Sequence, residues 1–164
     1  MNTKTRVALS ISIALATGLA GAQSATFTER NLTLDAALEM ARAGLEQCRA
    51  NGHKVTVTVL NRHARTSVVL SDDGINPHTV ENSMRKAYTS FTTRAPSVEL
   101  GKRAQPLLSG FLQLDRMTTL EGGLPVFAGK ELVGAIGISG SPGGDKDATC
   151  AQVGIDKIAK GLGN

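Results

Sequence analysis

The segment 121–140 constrains the fold of this chain more than any other part of the sequence. Two short apolar runs, 124–127 and 132–139, flank an Ala-Gly-Lys turn, which is the pattern of a β-hairpin. The second run alternates between a face with Gly134, Ile136 and Ile138 and a face with Val133, Ala135 and Gly137. The face with the smaller residues predicts the close approach of another part of the molecule, either a helix or a ligand.

The N-terminal residues 1–22 have the pattern of a secretory signal peptide. A basic start leads into an apolar run over 7–19, and small residues form a cleavage site after Ala22. The apolar run is short for a bilayer span and polar sequence follows it, so cleavage is favoured over an uncleaved anchor. We therefore expect a periplasmic or secreted protein without a stable membrane span, and a mature domain over 23–164.

The charge of the mature chain is close to neutral. The signal peptide contains two of the 18 Lys and Arg residues and none of the 14 Asp and Glu residues, so its removal lowers the net charge from +4 to +2. The basic residues are scattered, and no basic run is interleaved with aromatic residues. This pattern argues against a nucleic-acid partner, and the length suits one domain with its own core.

The two cysteines raise the question of a disulfide in an exported protein. Cys48 lies near the end of the predicted first helix and Cys150 near the start of the predicted last helix. Antiparallel neighbouring helices would bring the two residues together. The alternative is a pair of separate, buried and inert thiols.

Periodicity predicts the first half of the domain. Apolar residues recur at helical spacing over 33–51, with Thr33 as a cap and a Gly stop at its end. Alternating β-branched residues over 54–61 and 66–70, joined by a tight turn, predict an antiparallel hairpin. A second helix is expected to begin at Pro77 with Asn76 as its cap. Its predicted buried stripe is Val80, Met84, Ala87 and Phe91.

The second half predicts a short helix over 97–104, an irregular apolar stretch over 106–114, the hairpin described above, and a last helix capped by Asp145 or Asp147. This order of elements predicts an α+β fold. We expect an antiparallel sheet of about five strands with helices packed on both faces.

Several motifs together resemble the GlcG/HbpS family, whose domain is also the C-terminal module of PduO-type proteins. The resemblance covers nearly all of the mature chain. It is carried by Leu-Thr-Leu-Asp-Ala-Ala at 32–37, Val-Thr-Val-Leu at 57–60, Lys-Ala-Tyr-Thr at 86–89, Gly-Gly-Leu-Pro-Val at 122–126 and Val-Gly-Ala-Ile-Gly-Ile-Ser-Gly at 133–140. The turn after the first strand reads Asn-Arg-His-Ala at 61–64, where the family usually has Asp-x-x-Gly.

The resemblance implies a profilin-like sandwich, assembly into homo-oligomers, and haem as the ligand. Some members of the family are associated with haem degradation or corrinoid chemistry. Haem requires axial ligands, an apolar surface for the ring and cations for the propionates. His63 and His78 are the predicted iron ligands, and Arg62 and Arg65 beside His63 are placed to hold the propionates. The alternative for both histidines is a solvated surface position, as expected for His53.

The other predicted binding residues are Lys86, Tyr88, Glu121, Gly122 and Gly123. A cation near Tyr88 would favour the phenolate that iron prefers. The adjacent glycines offer backbone N–H groups for an anion nest near Lys86, or else form a tight bend.

Three functions follow as hypotheses. The first is an exported protein that binds haem to sequester, deliver or sense it. The second is an enzyme that degrades haem or acts on a small organic acid or related metabolite near Lys86. The third is an assembly module without catalysis. The sequence holds no hydrolase elbow, metalloprotease motif or zinc cysteine pair, and it singles out no catalytic residue.

Overall fold

The computed structural model describes residues 24–103 and 109–163. The predicted signal peptide lies outside these residues, as does part of the stretch predicted to be irregular. Among the described helices, none combines the length and apolar character that crossing a bilayer requires.

The sheet is antiparallel throughout and has the strand order β2-β1-β4-β3. Its strands are β1 (Thr56–Asn61), β2 (Thr66–Ser71), β3 (Gly123–Ala128) and β4 (Glu131–Ser139). The described residues thus form four strands, where about five were expected. Both predicted hairpins are present, and β1 pairs with β4 between them, so the two hairpins form one continuous sheet.

The turn between β1 and β2 is held by the side chain of its first residue. Asn61 Oδ1 accepts hydrogen bonds from the backbone N–H groups of His63 at 2.9 Å and Arg65 at 3.1 Å. Ala64 adopts a positive φ of 54°, a conformation that glycine adopts more easily. The Asn side chain therefore stabilises the turn although the glycine of the family pattern is absent.

The helices are α1 (Leu34–Ala50), α2 (His78–Thr93), α3 (Val98–Arg103) and α4 (Gly144–Ile158), with short 3₁₀ turns at Ser109–Gln113 and Ala159–Leu162. Thr33 caps α1 as predicted, because its hydroxyl accepts the Ala36 N–H. The predicted caps of α2 and α4 are wrong. Pro77 and Gly143 occupy the cap positions, and neither helix has a side-chain cap.

Helices cover both faces of the sheet. Helices α1 and α4 lie on the side of Ile136 and Ile138, where Gly44 and Gly154 allow the helix backbones to approach these side chains. Helix α2 lies on the opposite side, against Gly137. A Cβ atom at Gly137 would lie 2.6 Å from the backbone nitrogen of Ala87 in α2. The small-residue face of β4 is therefore filled by a helix.

Helix α2 buries a polar face, which contradicts the predicted apolar stripe. Of the residues predicted to be buried, only Ala87 is; Val80 is 44% exposed, and Met84 and Phe91 are partly buried. The buried side chains are mostly small and polar, namely Thr79, Ser83, Thr89 and Ser90, with Lys86. The reason lies in β1, whose threonine hydroxyls hydrogen-bond to α2: Thr56 to Thr79 at 2.8 Å and Thr58 to Ser83 at 2.7 Å.

A disulfide joins Cys48 of α1 to Cys150 of α4, with a Cα–Cα distance of 5.6 Å. Of the two alternatives for the cysteines, the structure therefore has the bridged one. The bridge closes a sequence separation of 102 residues and ties together the two helices that pack on the same face of the sheet.

Candidate functional site

The predicted binding residues lie on two different flanks of α2. One flank carries His78, Asn82 and Lys86, spaced four residues apart and so aligned on one stripe of the helix. These side chains line a cleft of about 300 Å³ whose opposite wall includes Glu121, Ser141, Gly144 and Asp147. We call this the lysine cleft. Burial increases along the stripe, since His78 is exposed, Asn82 partly buried and Lys86 buried.

Lys86 is neutralised inside the protein. Its Nζ atom donates to Asp147 Oδ2 at 2.7 Å and to the Ile138 carbonyl oxygen at 2.9 Å. The Lys86 and Asp147 side chains are only 4% and 2% exposed. Asp147 Oδ1 accepts the Ser141 N–H at 3.0 Å. Because Asp147 is engaged in these contacts, it does not cap α4. Because Lys86 is paired with Asp147, it has no free charge for an anionic ligand.

The glycine pair next to the cleft packs closely against α2. Gly122 has a φ of 120°, and a Cβ atom there would lie 3.0 Å from Lys86 Nζ. A Cβ atom at Gly123 would overlap the backbone of Lys86. The Gly123 N–H donates to Ser97 Oγ at 3.0 Å. Both glycines are buried, and their small size is what allows Lys86 to reach Asp147.

The other flank of α2 is apolar and bordered by arginines. Val80, Met84, Tyr88 and Phe91 form one outer stripe of the helix. Two neighbouring depressions of about 390 and 320 Å³ follow this stripe, and Ala64 lines both. Four arginines line them: Arg62 and Arg94 the first, Arg65 and Arg116 the second. We call this surface, with Tyr88 and Phe91, the arginine face.

His63 stands at the border of the arginine face and is held by a carboxylate. Its Nε2 atom lies 2.9 Å from Glu29 Oε1, and its side chain is 53% exposed. The other oxygen of Glu29 lies 3.3 Å from Arg62 Nε. Arg62 also donates to the Leu132 carbonyl oxygen. Glu29 thus orders both residues from the segment that precedes α1.

The two predicted iron ligands do not meet within this chain. Thr56, at the start of β1, contacts Thr79, the neighbour of His78. His63 follows Asn61, at the far end of β1. At about 3.3 Å per residue, the strand separates these ends by roughly 17 Å. His78 belongs to the lysine cleft, and His63 to the arginine face.

Tyr88 and its neighbours complete the arginine face. Tyr88 and Phe91 are partly buried and pack against Leu60 and Ala87. The guanidinium carbon of Arg116 lies 5.5 Å from the centre of the Tyr88 ring, a cation–π distance. Sequence reasoning missed Arg94, Arg116 and Asp147 as site residues. The apolar residues along α2 recur at helical spacing, which indicates that they share one face of the helix. The same spacing is typical of a buried face, so it did not predict that this face is the outer one.

The fold and the arginine face define a small α+β domain with an open antiparallel sheet and a surface suited to a flat, anionic, apolar ligand. The family model for haem degrading protein HbpS-like matches residues 32–156. The chain therefore belongs to the HbpS-like family.

Similar proteins agree with this membership. The crystal structure of a Streptomyces reticuli HbpS double mutant is 34% identical in sequence and superimposes with a TM-score of 0.77, covering 86% of this chain and 96% of that chain. The crystal structure of a PduOC:heme complex is 25% identical, with a TM-score of 0.71 over 79% and 96% of the two chains. An uncharacterized 15.0 kDa protein of Citrobacter freundii, from the dhaT-dhaS intergenic region, is 30% identical over 129 residues, or 76% of this chain and 90% of that protein.

Proposed function

We propose that this protein is an exported haem-binding protein that sequesters, delivers or senses haem, and that the arginine face holds the haem. The family and the haem complex of its relative PduOC support a haem-related function. The choice of the arginine face over the lysine cleft rests on the orientation of α2. This helix buries its polar residues and turns Met84, Tyr88 and Phe91 outward.

The residues of the arginine face fit haem. The outer stripe of α2 supplies apolar area for the ring, and aromatic side chains stack well on flat π systems. Among the described residues, Arg65, Arg94 and Arg116 form no ion pair with a carboxylate. Guanidinium groups bind carboxylates in a bidentate geometry, so Arg65 and Arg94 are suited to the propionates. When bound, the haem iron supplies ligand-binding and redox chemistry.

The lysine cleft is less suited to haem or to a small organic acid. The positive charge of Lys86 is paired with Asp147, and Glu121 on the opposite wall adds a negative charge. An anionic ligand in the cleft would lie near the Glu121 carboxylate. The charge of Lys86 would not be free to compensate it, because Lys86 is paired with Asp147. The alternative function, an enzyme that acts on an organic acid near Lys86, depended on a free positive charge at Lys86. The ion pair with Asp147 removes this support.

Export of the protein is part of the proposal. It is supported by the signal-peptide pattern over 1–22 and by the disulfide between Cys48 and Cys150, since disulfides persist in oxidising compartments. Mass spectrometry of the protein recovered from periplasm and medium tests this. We expect a chain that begins at Gln23, and a full-length chain confined to the cytoplasm would contradict export.

A haemin titration of the mature protein, followed by absorbance, tests the function and the surface together. We expect a saturable Soret shift at one haem per subunit. Arg65→Ser and Arg94→Ser should each cost about 1 kcal/mol and weaken haem affinity about fivefold, as for the stronger exposed ion pairs. Arg42→Ser on α1 is the matched control, because Arg42 is exposed and lines neither depression. His78→Ala should also leave affinity unchanged.

The two alternatives give different results. If the protein degrades haem, reductant or peroxide added to its haem complex would abolish the Soret band and release iron. Substitution of the protein side chains responsible would prevent this loss. An assembly module would show a featureless response to haemin while forming homo-oligomers in sedimentation experiments. We also propose that the haem-binding protein is a homo-oligomer, and the same sedimentation experiment, with and without haemin, tests this.

A further inference from the structure

We propose that Tyr88 is the axial ligand of the haem iron, and that Arg116 is the positioning residue that stabilises its phenolate. This inference rests on the proposed haem function of the arginine face. It replaces the sequence-based prediction that His63 and His78 bind the iron, and it assigns to Arg116 the role that the sequence suggested for Lys86.

Neither histidine is well placed for the iron. His78 lines the lysine cleft, on the other flank of α2. The Nε2 atom of His63, the usual iron-binding atom of a haem histidine, is engaged by Glu29 Oε1 at 2.9 Å. Coordination through Nε2 would break this contact, and with it one of the two interactions by which Glu29 holds the β1–β2 turn.

Tyr88 is both central and available. Tyr88 lines the same depression as Arg62, Arg94 and Leu132. Phe91 follows one turn later on the outer stripe and lines this depression too. Within the described part of the chain, no protein group forms a hydrogen bond with the Tyr88 hydroxyl, so none of these groups has to be displaced for a ligand to bind the oxygen.

Arg116 supplies the positive charge that a phenolate ligand requires. Its guanidinium carbon is 5.5 Å from the ring centre, whereas Lys86 points into the sheet and is paired with Asp147. If ferric haem binds this face, Tyr88 would hold the iron through its phenolate oxygen, and the phenolic proton would leave to solvent. Tyrosinate is an established ligand for ferric haem, and a neighbouring cation favours the anionic form in the complex.

The test compares ferric haem spectra of the wild-type protein with Tyr88→Phe, Tyr88→His, Arg116→Gln and His63→Ala. Resonance Raman and electron paramagnetic resonance report the iron ligand directly. We expect a high-spin tyrosinate signature in the wild-type protein and its loss in Tyr88→Phe. Tyr88→His should change it to an imidazole-ligated spectrum. His63→Ala should keep the tyrosinate signature.

Arg116→Gln separates the positioning role from simple packing. The substitution keeps a long polar side chain but removes the charge, so we expect a smaller tyrosinate-ligated fraction of the haem at a fixed, neutral pH. Arg116→Lys should restore this fraction toward the wild-type value. An unchanged fraction in Arg116→Gln would overturn the role of Arg116. Circular dichroism and thermal unfolding of each variant show that the fold is retained.

The outcomes distinguish this inference from the proposed function. Saturable haem binding with the same spectrum in Tyr88→Phe as in the wild type would overturn the ligand assignment and leave haem binding intact. Loss of the signature in His63→Ala would also overturn it, in favour of His63. Absence of saturable binding in the wild-type protein would overturn both the function and the ligand.

Discussion

The buried ion pair between Lys86 and Asp147 allows a quantitative prediction. Both side chains are almost fully buried, and the Nζ–Oδ2 distance is 2.7 Å. Removing one partner of such a pair leaves an uncompensated charge and costs about 3–5 kcal/mol. Domains of this size have a total unfolding free energy of about 5–15 kcal/mol. We therefore expect Lys86→Met alone, or Asp147→Asn alone, to remove a large share of the stability.

The double variant separates the charge from the packing. Lys86→Met with Asp147→Asn removes both charges, while the Asn side-chain oxygen can still accept the Ser141 N–H. Replacing both charges of a buried pair is often nearly neutral. The double variant should therefore be more stable than either single variant, so the coupling free energy in the double-mutant cycle should exceed about 3 kcal/mol.

Urea unfolding of the disulfide-intact protein measures these differences. Added salt should change them little, because the pair is shielded from solvent. The reasoning is refuted if each single variant loses less than about 1 kcal/mol, which is the behaviour of an exposed pair. Haem affinity of the double variant should equal that of the wild type, because Lys86 lies outside the arginine face.

Three further predictions concern stability. Gly137→Ala should destabilise the protein by about 1–3 kcal/mol in urea unfolding, because the new Cβ meets the backbone of α2; an unchanged midpoint would show that α2 can shift away. Replacing Cys48 and Cys150 by Ala should cost about 4–5 kcal/mol by the loop-entropy relation for a separation of this size, with the reduced wild-type protein as the matched comparison. Burial acts to raise the pKa of Asp72, but hydrogen bonds from Arg49 and the Val55 N–H, with the charge of Arg49, lower the pKa overall. The stabilisation by Asp72 is therefore complete above the ordinary carboxyl pKa of about 4 and is lost as the pH falls below it. Asp72→Asn should reduce the loss of unfolding free energy at acidic pH. The same pH dependence in the variant and the wild type would contradict this.

The fold was predictable because its local patterns agree with the tertiary structure. The alternation over 132–139 predicted both a strand and a close approach, and the structure places α2 there. The apolar repeat of α1 and its Thr33 cap are also confirmed. These features depend on spacing within one element, which the sequence records directly.

The orientation of α2 was not predictable in the same way. Its apolar residues have the spacing of a buried face, yet the hydroxyls of Thr79 and Ser83 pair with threonines of β1 and determine which side faces the sheet. Such pairing depends on residues far apart in the chain. For the same reason the partner of Lys86 was missed, since Asp147 lies 61 positions away and has the sequence context of a helix cap.

The placement of the candidate site residues was predictable in part. Arg62, Arg65, His63 and Tyr88 do lie near one surface, whereas His78, Lys86 and Glu121 lie in the cleft on the other flank of α2. The sequence places Lys86 two positions from Tyr88. On a helix this spacing turns the two side chains about 200° apart. Because Lys86 and Tyr88 are close in sequence, they suggested a single pocket. The helix instead places them in two separate pockets.

The most direct measurement of the central claim is a nuclear magnetic resonance titration of the isotope-labelled mature protein with gallium protoporphyrin, a diamagnetic analogue of haem. If haem binds the arginine face, backbone amide shifts will concentrate at Tyr88, Phe91 and Arg94 and will leave Asn82 and Gly144 of the lysine cleft unchanged. Shifts centred on Asn82 and Gly144, with Tyr88 and Phe91 unaffected, would contradict the account.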